Sequence, residues 1–219
     1  MRIGIIGAGN IGGALARRLV GLGHEVRVSN SRAPETLQDL QRESGAVAVW
    51  AAEAAEAADV VVITIPLKNV PDLPADVLHR AKPDAAIIDT CNYYPKQRDG
   101  RIAAIEEGMP ESVWVSRHVG RPVIKVFNMI GADGIERQGK PPGTAGRYAI
   151  PVAGDDPSAK ARVMALVDAL GFDAVDAGPL KESWRQQPGT PVYGALRDAD
   201  SVRRALAEAS AVRPTGFRA

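Results

Sequence analysis

The sequence predicts an α/β protein, built as a doubly wound parallel sheet with a small C-terminal α/β extension. Apolar, strand-like segments alternate with helical segments along the first 130 residues. A glycine-rich turn at residues 7–12 joins the first strand to the first helix. Residues 59–65 form a nearly continuous apolar run that ends at Pro66, which is typical of a parallel strand covered on both faces.

A Gly-x-Gly-x-x-Gly motif precedes the predicted helix 11–22. Gly7 permits a tight turn, Gly9 lets the backbone approach a phosphate, and Gly12 lets the helix lie close to the strand. A second strand, 24–29, completes a β-α-β unit of the Rossmann type, so the N–H groups at the helix N-terminus are placed to bind the pyrophosphate of a dinucleotide. The predicted contacts from this turn are Gly7, Ala8, Gly9, Asn10, Ile11 and Gly12.

The end of the second strand predicts NADP as the cofactor. NAD sites place an Asp or Glu about 20 residues beyond the first glycine, where it binds the ribose 2′-hydroxyl. This chain instead has Ser29, Asn30, Ser31 and Arg32 there. A guanidinium binds a 2′-phosphate through charge-assisted hydrogen bonds. The alternative is that Arg32 is an ordinary solvated arginine.

Composition limits the classes of function. The 219 residues are 45% hydrophobic and carry a formal net charge of +1, which argues against nucleic acid as the main partner. The apolar runs are shorter than the ~18 residues of a membrane span, and the N-terminal run is too short and too rich in glycine for a signal peptide. We therefore expect a cytoplasmic protein that does not bind membranes.

Metal chemistry is not expected. Cys91 is the single cysteine, and His24, His79 and His118 are scattered, so the sequence contains no pattern of metal ligands. Cys91 follows a predicted strand near the nucleotide, where it is either a reactive thiol or a small buried apolar residue.

The loops that follow the strands carry the other candidate site residues, because ligands of such sheets bind outside the carboxyl ends of the strands. We expect Ile65, Pro66 and Asn92 near the nicotinamide ribose, and Asn128 and Met129 around a second ligand. The alternative for the asparagines is turn capping. The remaining predicted elements of this region are helices 34–44, 51–58 and 76–81 and strands 46–50, 85–90 and 122–128.

Two domains are predicted, an NADP-binding domain over 1–130 and a small C-terminal domain over 131–219. Residues 131–147 are rich in Gly, Pro and charge, which indicates a boundary or a long loop. The C-terminal part is too short for an independent core, so we expect it to pack on the first domain and close the second-ligand cleft. Its predicted elements are strands 148–153 and 174–176 and helices 157–170 and 195–209.

Trp184 is a candidate for binding a planar ring in that cleft, because its loop also offers a cation and amides. The alternative is that Trp184 fills the junction between the domains. Val202, Leu206 and Val212 have near-helical spacing, which fits either a homodimer interface or the core of the chain itself.

On these residues, the chain resembles the NADP oxidoreductases that reduce or oxidise the deazaflavin coenzyme F-420. The resemblance runs nearly end to end, through the glycine motif and residues 29–32, 89–92, 125–128 and 176–180. It implies that the N-terminal domain holds NADP and that the small C-terminal domain closes the deazaflavin against the nicotinamide.

The sequence thus predicts an NADP(H)-dependent oxidoreductase that transfers hydride between NADPH and a deazaflavin, flavin or quinone-like ring. Stacking two flat rings needs no acid, and the sequence offers no convincing dyad or triad, so we name no catalytic residue. Two alternatives stay open: an NADPH-dependent reductase of a small carbonyl or imine metabolite, and a non-catalytic NADPH-binding sensor.

Overall fold

The computed structural model describes residues 1–74 and 76–219, and its main element is a parallel sheet with the strand order β3-β2-β1-β4-β5-β6. The order reverses between β1 and β4, as in doubly wound sheets, which confirms the predicted fold class. The strands are β1 (Arg2–Ile6), β2 (Glu25–Ser29), β3 (Val47–Ala48), β4 (Val60–Ile63), β5 (Ala86–Asp89) and β6 (Ile124–Lys125).

Helices cover both faces of this sheet, and their ends follow local rules. The helix at 157–169 begins where the Asp156 side chain accepts hydrogen bonds from the N–H groups of Ser158 and Ala159. It is followed by Gly171, whose φ of +99° few other residues adopt. The helices are α1 (Asn10–Gly21), α2 (Gln38–Ser44), α3 (Ala51–Ala55), α4 (Ala103–Glu106), α5 (Glu111–Val119), α6 (Ala132–Arg137), α7 (Pro157–Ala169) and α8 (Ala199–Ala207).

Several predicted elements are corrected by the structure. The predicted helix 34–44 begins with a 3-10 turn over 34–37, which leads directly into α2. The predicted helix 76–81 is only a short 3-10 turn over 77–80. The helices α4, α5 and α6 were not predicted from the sequence. α5 contains Val and Trp at positions that also suit a strand, and α6 occupies the start of the predicted loop 131–147.

The C-terminal part forms a separate two-stranded sheet that meets the edge of the first sheet. β7 (Ala149–Val152) and β8 (Asp173–Asp176) are parallel to each other. The backbone of Lys125 at the end of β6 exchanges two hydrogen bonds with Ala153, N···O 2.8 and 3.1 Å, in antiparallel fashion. One hydrophobic cluster contains residues from β1 and α1 as well as from α7 and α8, so the core is continuous across residue 131. The division into two domains at 130 stays a prediction.

The apolar positions near the C-terminus fall in two environments. Val202 and Leu206 are buried in the core of the chain, whereas Val212 is 70% exposed. Val202 and Leu206, which lie on α8, are therefore core residues, and only Val212, beyond the end of α8, is exposed among the three. In the described part of the chain, each helix is too short or too polar to cross a bilayer. Grouping of metal-binding side chains is likewise absent from residues 1–74 and 76–219.

A buried ion pair lies where β5, β6 and the C-terminal part meet. Lys125 and Asp89 are both fully buried, with Nζ and Oδ2 3.4 Å apart. The ammonium also donates to the backbone carbonyl of Cys91. Asp89 accepts further hydrogen bonds from the Ser112 hydroxyl (2.6 Å) and the Cys91 N–H (2.8 Å). This network fixes the start of the loop 90–94, which belongs to the groove described below.

Replacing Lys125→Met will leave the Asp89 carboxylate buried without a countercharge. We expect the free energy of unfolding, measured in urea, to fall by about 3–5 kcal/mol. In Lys125→Met/Asp89→Asn, part of that loss will be recovered, because neither charge remains. The matched control is Lys82→Met, whose partner Asp59 lies at the surface, and whose cost is expected to stay below about 1 kcal/mol. Equal losses in the two lysine variants would contradict this assignment.

Candidate dinucleotide and acceptor groove

A groove runs along the carboxyl ends of β1, β2, β4, β5 and β6. It consists of two adjoining cavities, of about 650 Å³ on the β2 side and about 450 Å³ on the β6 side. The two cavities share Gly9, Thr64, Ile65 and Pro66 in their linings. An elongated ligand can therefore extend from one cavity into the other across the glycine-rich turn.

Each of the three glycines of the turn suits its position for a different structural reason. Gly7 has φ of +115°, a conformation that side chains disfavour. A Cβ added at Gly12 would lie 1.9 Å from the Gly7 carbonyl oxygen, so α1 can approach the turn only with glycine there. A Cβ added at Gly9 meets no atom of the described chain within 4 Å, because it would project into open space of the groove. The turn thus forms an open cradle at Gly9.

The N-terminus of α1 faces this cradle and suits an anion. The N-cap residue Gly9 has no side chain that could cap the helix, and the first turn of α1 contains no acidic residue. The N–H groups of the first turn are therefore available to a ligand, and the helix dipole favours negative charge. Asn10 and Ile11 line the adjoining β6-side cavity. These features fit the pyrophosphate of a dinucleotide.

The end of β2 contributes only part of its predicted set. Ser31 and the exposed Arg32 line the β2-side cavity, and the Arg32 guanidinium forms no hydrogen bond with the described residues. Asn30 also lines it, but its amide donates to Thr36 and its carbonyl oxygen accepts from the Arg32 N–H, so this side chain shapes the loop. Ser29 is a correction: its side chain is fully buried and its hydroxyl donates to the Ile5 carbonyl within the sheet.

The β6-side cavity brings together most of the remaining candidates. Its lining includes Ile65, Pro66, Asn92, Asn128 and Met129, which come from the loops after β4, β5 and β6. The two asparagine side chains also join those loops: the Asn92 amide donates to the Asn128 carbonyl (2.8 Å), and the Asn128 amide donates to the Asn92 side chain (3.1 Å). These residues therefore both line the cavity and hold its wall in place.

Two further features fix Asn128. Phe127 has φ of +62°, which is uncommon for a bulky residue and is maintained here by its complete burial. The Asn128 amide then donates to the backbone carbonyl of Gln186 (2.7 Å), and the Gln186 amide donates back to the Asn128 side chain (3.0 Å). The C-terminal part thus contacts the groove through Gln186.

Trp184 is a correction to the predicted substrate site. It lines a separate cavity of about 500 Å³, between α4, α5 and the C-terminal tail. The Arg185 guanidinium lies 4.4 Å from the centre of its ring. The 3-10 segment 180–186 places Gln186 against Asn128 and Trp184 in the other cavity, a difference that has no signal in the sequence. Trp184 is therefore not part of the groove lining.

Among the residues that line the β6-side cavity but were not sequence candidates, three carry polar side chains that matter below: Tyr94, Arg98 and Tyr193. Tyr94 and Tyr193 are joined by a hydrogen bond between their hydroxyls, although they lie 99 residues apart in the chain. Tyr94 directly follows the candidate Asn92-Tyr93 segment, so its position after β5 was an available signal. Tyr193 lies in a loop without a motif, and only the folded chain brings it here.

Cys91 is not suited to act as a reactive thiol. Its side chain is buried, and burial raises the pKa of the thiol well above its usual range, with the nearby Asp89 carboxylate adding to the shift. The thiolate form needed for nucleophilic attack is therefore disfavoured. Of the two roles that the sequence left open, the small buried residue fits this geometry.

Comparison with known proteins finds a family that matches the N-terminal part of the chain. Residues 2–93 match the family described as NADP oxidoreductase coenzyme F420-dependent. This confirms, over those residues, the resemblance that the sequence indicates, and it supports NADP as the cofactor. The protein YjhV of Escherichia coli (strain K12) is 48% identical over 66 residues, which are 30% of this chain and 48% of YjhV. The chain thus matches about half the length of that curated relative.

Solved structures extend the similarity of fold over most of the chain. The hypothetical protein SMa0349 of Sinorhizobium meliloti is 29% identical, with a TM-score of 0.75 over 90% of this chain and 96% of the other. A protein of Arthrobacter sp. FB24, described as a "putative f420 dependent nadp-reductase", is 23% identical, with a TM-score of 0.69 over 84% of this chain and 87% of the other. At that identity, the second structure supports the fold alone.

Gly9→Ala will separate binding from folding. Because the added Cβ projects into open space and Gly9 has an ordinary extended conformation, we expect unchanged thermal stability. The methyl group will occupy the phosphate cradle and weaken NADPH binding by about tenfold or more, as measured by calorimetry. The control is Gly12→Ala, whose clash with the Gly7 carbonyl should destabilise the fold by about 3 kcal/mol. Unchanged NADPH affinity in Gly9→Ala would place the pyrophosphate elsewhere.

Arg32→Asp will weaken NADPH binding much more than NADH binding. One charge-assisted contact to the 2′-phosphate is worth roughly 1.5–3 kcal/mol, which corresponds to about 10- to 150-fold in affinity. The matched control is Arg101→Asp, which makes the same charge change at an exposed position outside the groove. Equal losses for both nucleotides would mean that Arg32 does not contact the 2′-phosphate.

Proposed function

We propose that this chain, whose residues 2–93 match the family of NADP oxidoreductases dependent on coenzyme F420, transfers hydride between NADPH and a planar deazaflavin, flavin or quinone-like ring. The observation that carries the proposal is the continuous groove. Its β2-side half has an open glycine turn at a helix N-terminus, and its β6-side half is a second, adjoining cavity. One groove thus has room for a dinucleotide and for an acceptor at its nicotinamide end.

The residues of the first half fit the adenosine and phosphate groups. The N–H groups at the start of α1 would bind the pyrophosphate, with Gly9 allowing close approach. Ser31 and Arg32 would bind the 2′-phosphate at the end of β2. Ile65 and Pro66, which border both cavities, would lie beside the nicotinamide ribose. The bound cofactor supplies or accepts the hydride at its nicotinamide ring.

The second half provides apolar surface against which a flat ring can lie. Its lining has no histidine, lysine or carboxylate side chain from the described residues, so Tyr94 and Tyr193 are the proton donors it offers for the reduction of a small metabolite. Hydride transfer between stacked rings needs chiefly position and the exclusion of water. The apolar side chains there are Ile11, Ile65, Pro66, Phe127, Met129 and Ile130.

The C-terminal part would close this half. Gln186 holds the Asn128 loop, and Tyr193 and Gly194 line the cavity from the side opposite the glycine turn. Gly194 is itself fixed by a hydrogen bond from its N–H to the Met129 carbonyl (3.2 Å). These contacts support the division of labour that the sequence suggested, in which residues 1–130 hold NADP and residues 131–219 complete the acceptor site.

The experiment is to mix the protein with NADPH and, in turn, a deazaflavin, FMN, FAD, a quinone and a set of small carbonyl and imine compounds. Loss of the nicotinamide absorbance is followed in each mixture. We expect turnover with at least one ring acceptor and little with the small compounds. Gly9→Ala, which is expected to remain folded, serves as the control and should lower turnover at limiting NADPH.

Each other outcome contradicts the proposal in a different way. Turnover with only small carbonyl or imine compounds would indicate a metabolite reductase. Tight NADPH binding without turnover of any acceptor would indicate a sensor. Absence of NADPH binding would remove the basis of the proposal altogether.

A further inference from the structure

The wall of the β6-side cavity carries a pair of tyrosines that the proposed function does not yet use. Tyr94 follows β5, and Tyr193 comes from the C-terminal part. Both line the cavity, and their hydroxyls are hydrogen-bonded to each other. The Asn92 amide donates a further hydrogen bond to the Tyr193 oxygen, at 3.5 Å. Two phenols meeting across 99 residues of sequence are therefore held at the acceptor end of the groove.

One of the two phenolic O–H groups of this pair is free to donate a hydrogen bond to a ligand. Each phenol carries one O–H, and a hydrogen bond between the two hydroxyls uses only one of them. The other O–H has no acceptor among the described residues, because the third contact of the pair, from Asn92, is one that the phenol accepts. Burial raises the pKa of Tyr193 above its usual range, so its hydroxyl keeps its proton at neutral pH.

Arg98 offers a second donor in the lining of the same cavity. Its guanidinium lies 5.2 Å from the centre of the Tyr94 ring and lines the same cavity. Its Nε and Nη2 both donate to the buried Asp99 carboxylate at 3.0 Å, and Nη2 also donates to the Asn92 carbonyl at 2.6 Å. Nη1 forms no hydrogen bond within the described chain. The guanidinium is thus fixed in place with one nitrogen uncommitted.

We infer that the free hydroxyl of the Tyr94–Tyr193 pair, together with Arg98 Nη1, binds a carbonyl oxygen carried by the acceptor ring. A carbonyl oxygen has two lone pairs and accepts two hydrogen bonds, which matches two donors lining one cavity, whereas an imine nitrogen has one lone pair. The inference rests on the proposed function and assigns residues to the recognition of a ring carbonyl, the group that deazaflavins, flavins and quinones share. It also gives the C-terminal part a direct role in recognising the acceptor.

The test measures binding, with the protein loaded with NADP⁺ so that hydride transfer does not occur. The probes are 5-deazariboflavin, riboflavin and anthraquinone-2-sulfonate, which carry ring carbonyls, and anthracene-2-sulfonate, which has the tricyclic ring without them. The variants are Tyr193→Phe, Tyr94→Phe and the double variant. Each change removes one hydroxyl and leaves the ring. Tyr148→Phe is the control, because Tyr148 lies beneath Lys140 and outside the groove.

We expect wild type to bind at least one carbonyl ring, and the double variant to bind it about tenfold more weakly or worse. Each single variant should lose less, because the remaining hydroxyl then has its own proton free. Affinity for anthracene-2-sulfonate and for NADP⁺ should not change in any variant. Circular dichroism of each variant checks that the fold is retained.

Three results would overturn the inference. The first is unchanged carbonyl-ring affinity in the double variant, and the second is an equal loss for anthracene-2-sulfonate. The third is wild-type protein that binds none of the carbonyl rings. In the first two cases, the hydride-transfer function can still stand on the turnover experiment, whereas loss of NADP⁺ binding in wild type would remove that function itself.

Discussion

The structure depends on the buried pairing of Lys125 with Asp89. The Lys125 backbone joins β6 to the C-terminal part through Ala153, while its ammonium binds Asp89 on β5 and the carbonyl of Cys91. One residue therefore holds the edge of the sheet, the loop after β5 and the C-terminal extension together. Burying two charges is costly, and the pair persists because hydrogen bonds from Ser112 and the Cys91 N–H satisfy the carboxylate. This junction fixes the shape of the β6-side cavity, which is the proposed acceptor half of the groove.

The β2-side cavity, which is the dinucleotide half of the groove, depends on a purely local constraint. This constraint is the close approach of α1 to the turn before it. Gly12 is required because any side chain would meet the Gly7 carbonyl, and Gly9 is left open toward the groove. Both requirements are written in a six-residue pattern, so this half could be predicted from the sequence. The fold class followed for a related reason: the apolar strand 60–63 and its neighbours are short, regular and bounded by turns.

The acceptor half could not be predicted to the same extent, because its residues come from distant segments. Tyr193 lies in the groove because the C-terminal part, with its own sheet of β7 and β8, packs at the edge of the first sheet. Trp184 lines another cavity although it lies only nine residues earlier. The left-handed conformation of Phe127 is likewise set by tertiary burial and is hidden in a strand-like sequence. Ser29 shows the opposite error: it lies at the predicted strand end, but its side chain is fully buried and its hydroxyl is hydrogen-bonded to the Ile5 carbonyl of the neighbouring strand.

The two halves also differ in how they recognise a ligand. The dinucleotide half offers backbone N–H groups, a helix dipole and Arg32, all of which act on negative charge and weaken as salt increases. The acceptor half offers a phenol pair and a guanidinium whose charge is largely offset by the buried Asp99. Its recognition therefore relies on hydrogen-bond direction more than on charge. On the proposed function, a groove built in this way would hold the charged cofactor through electrostatics and would discriminate among neutral rings by the placement of their carbonyl oxygens.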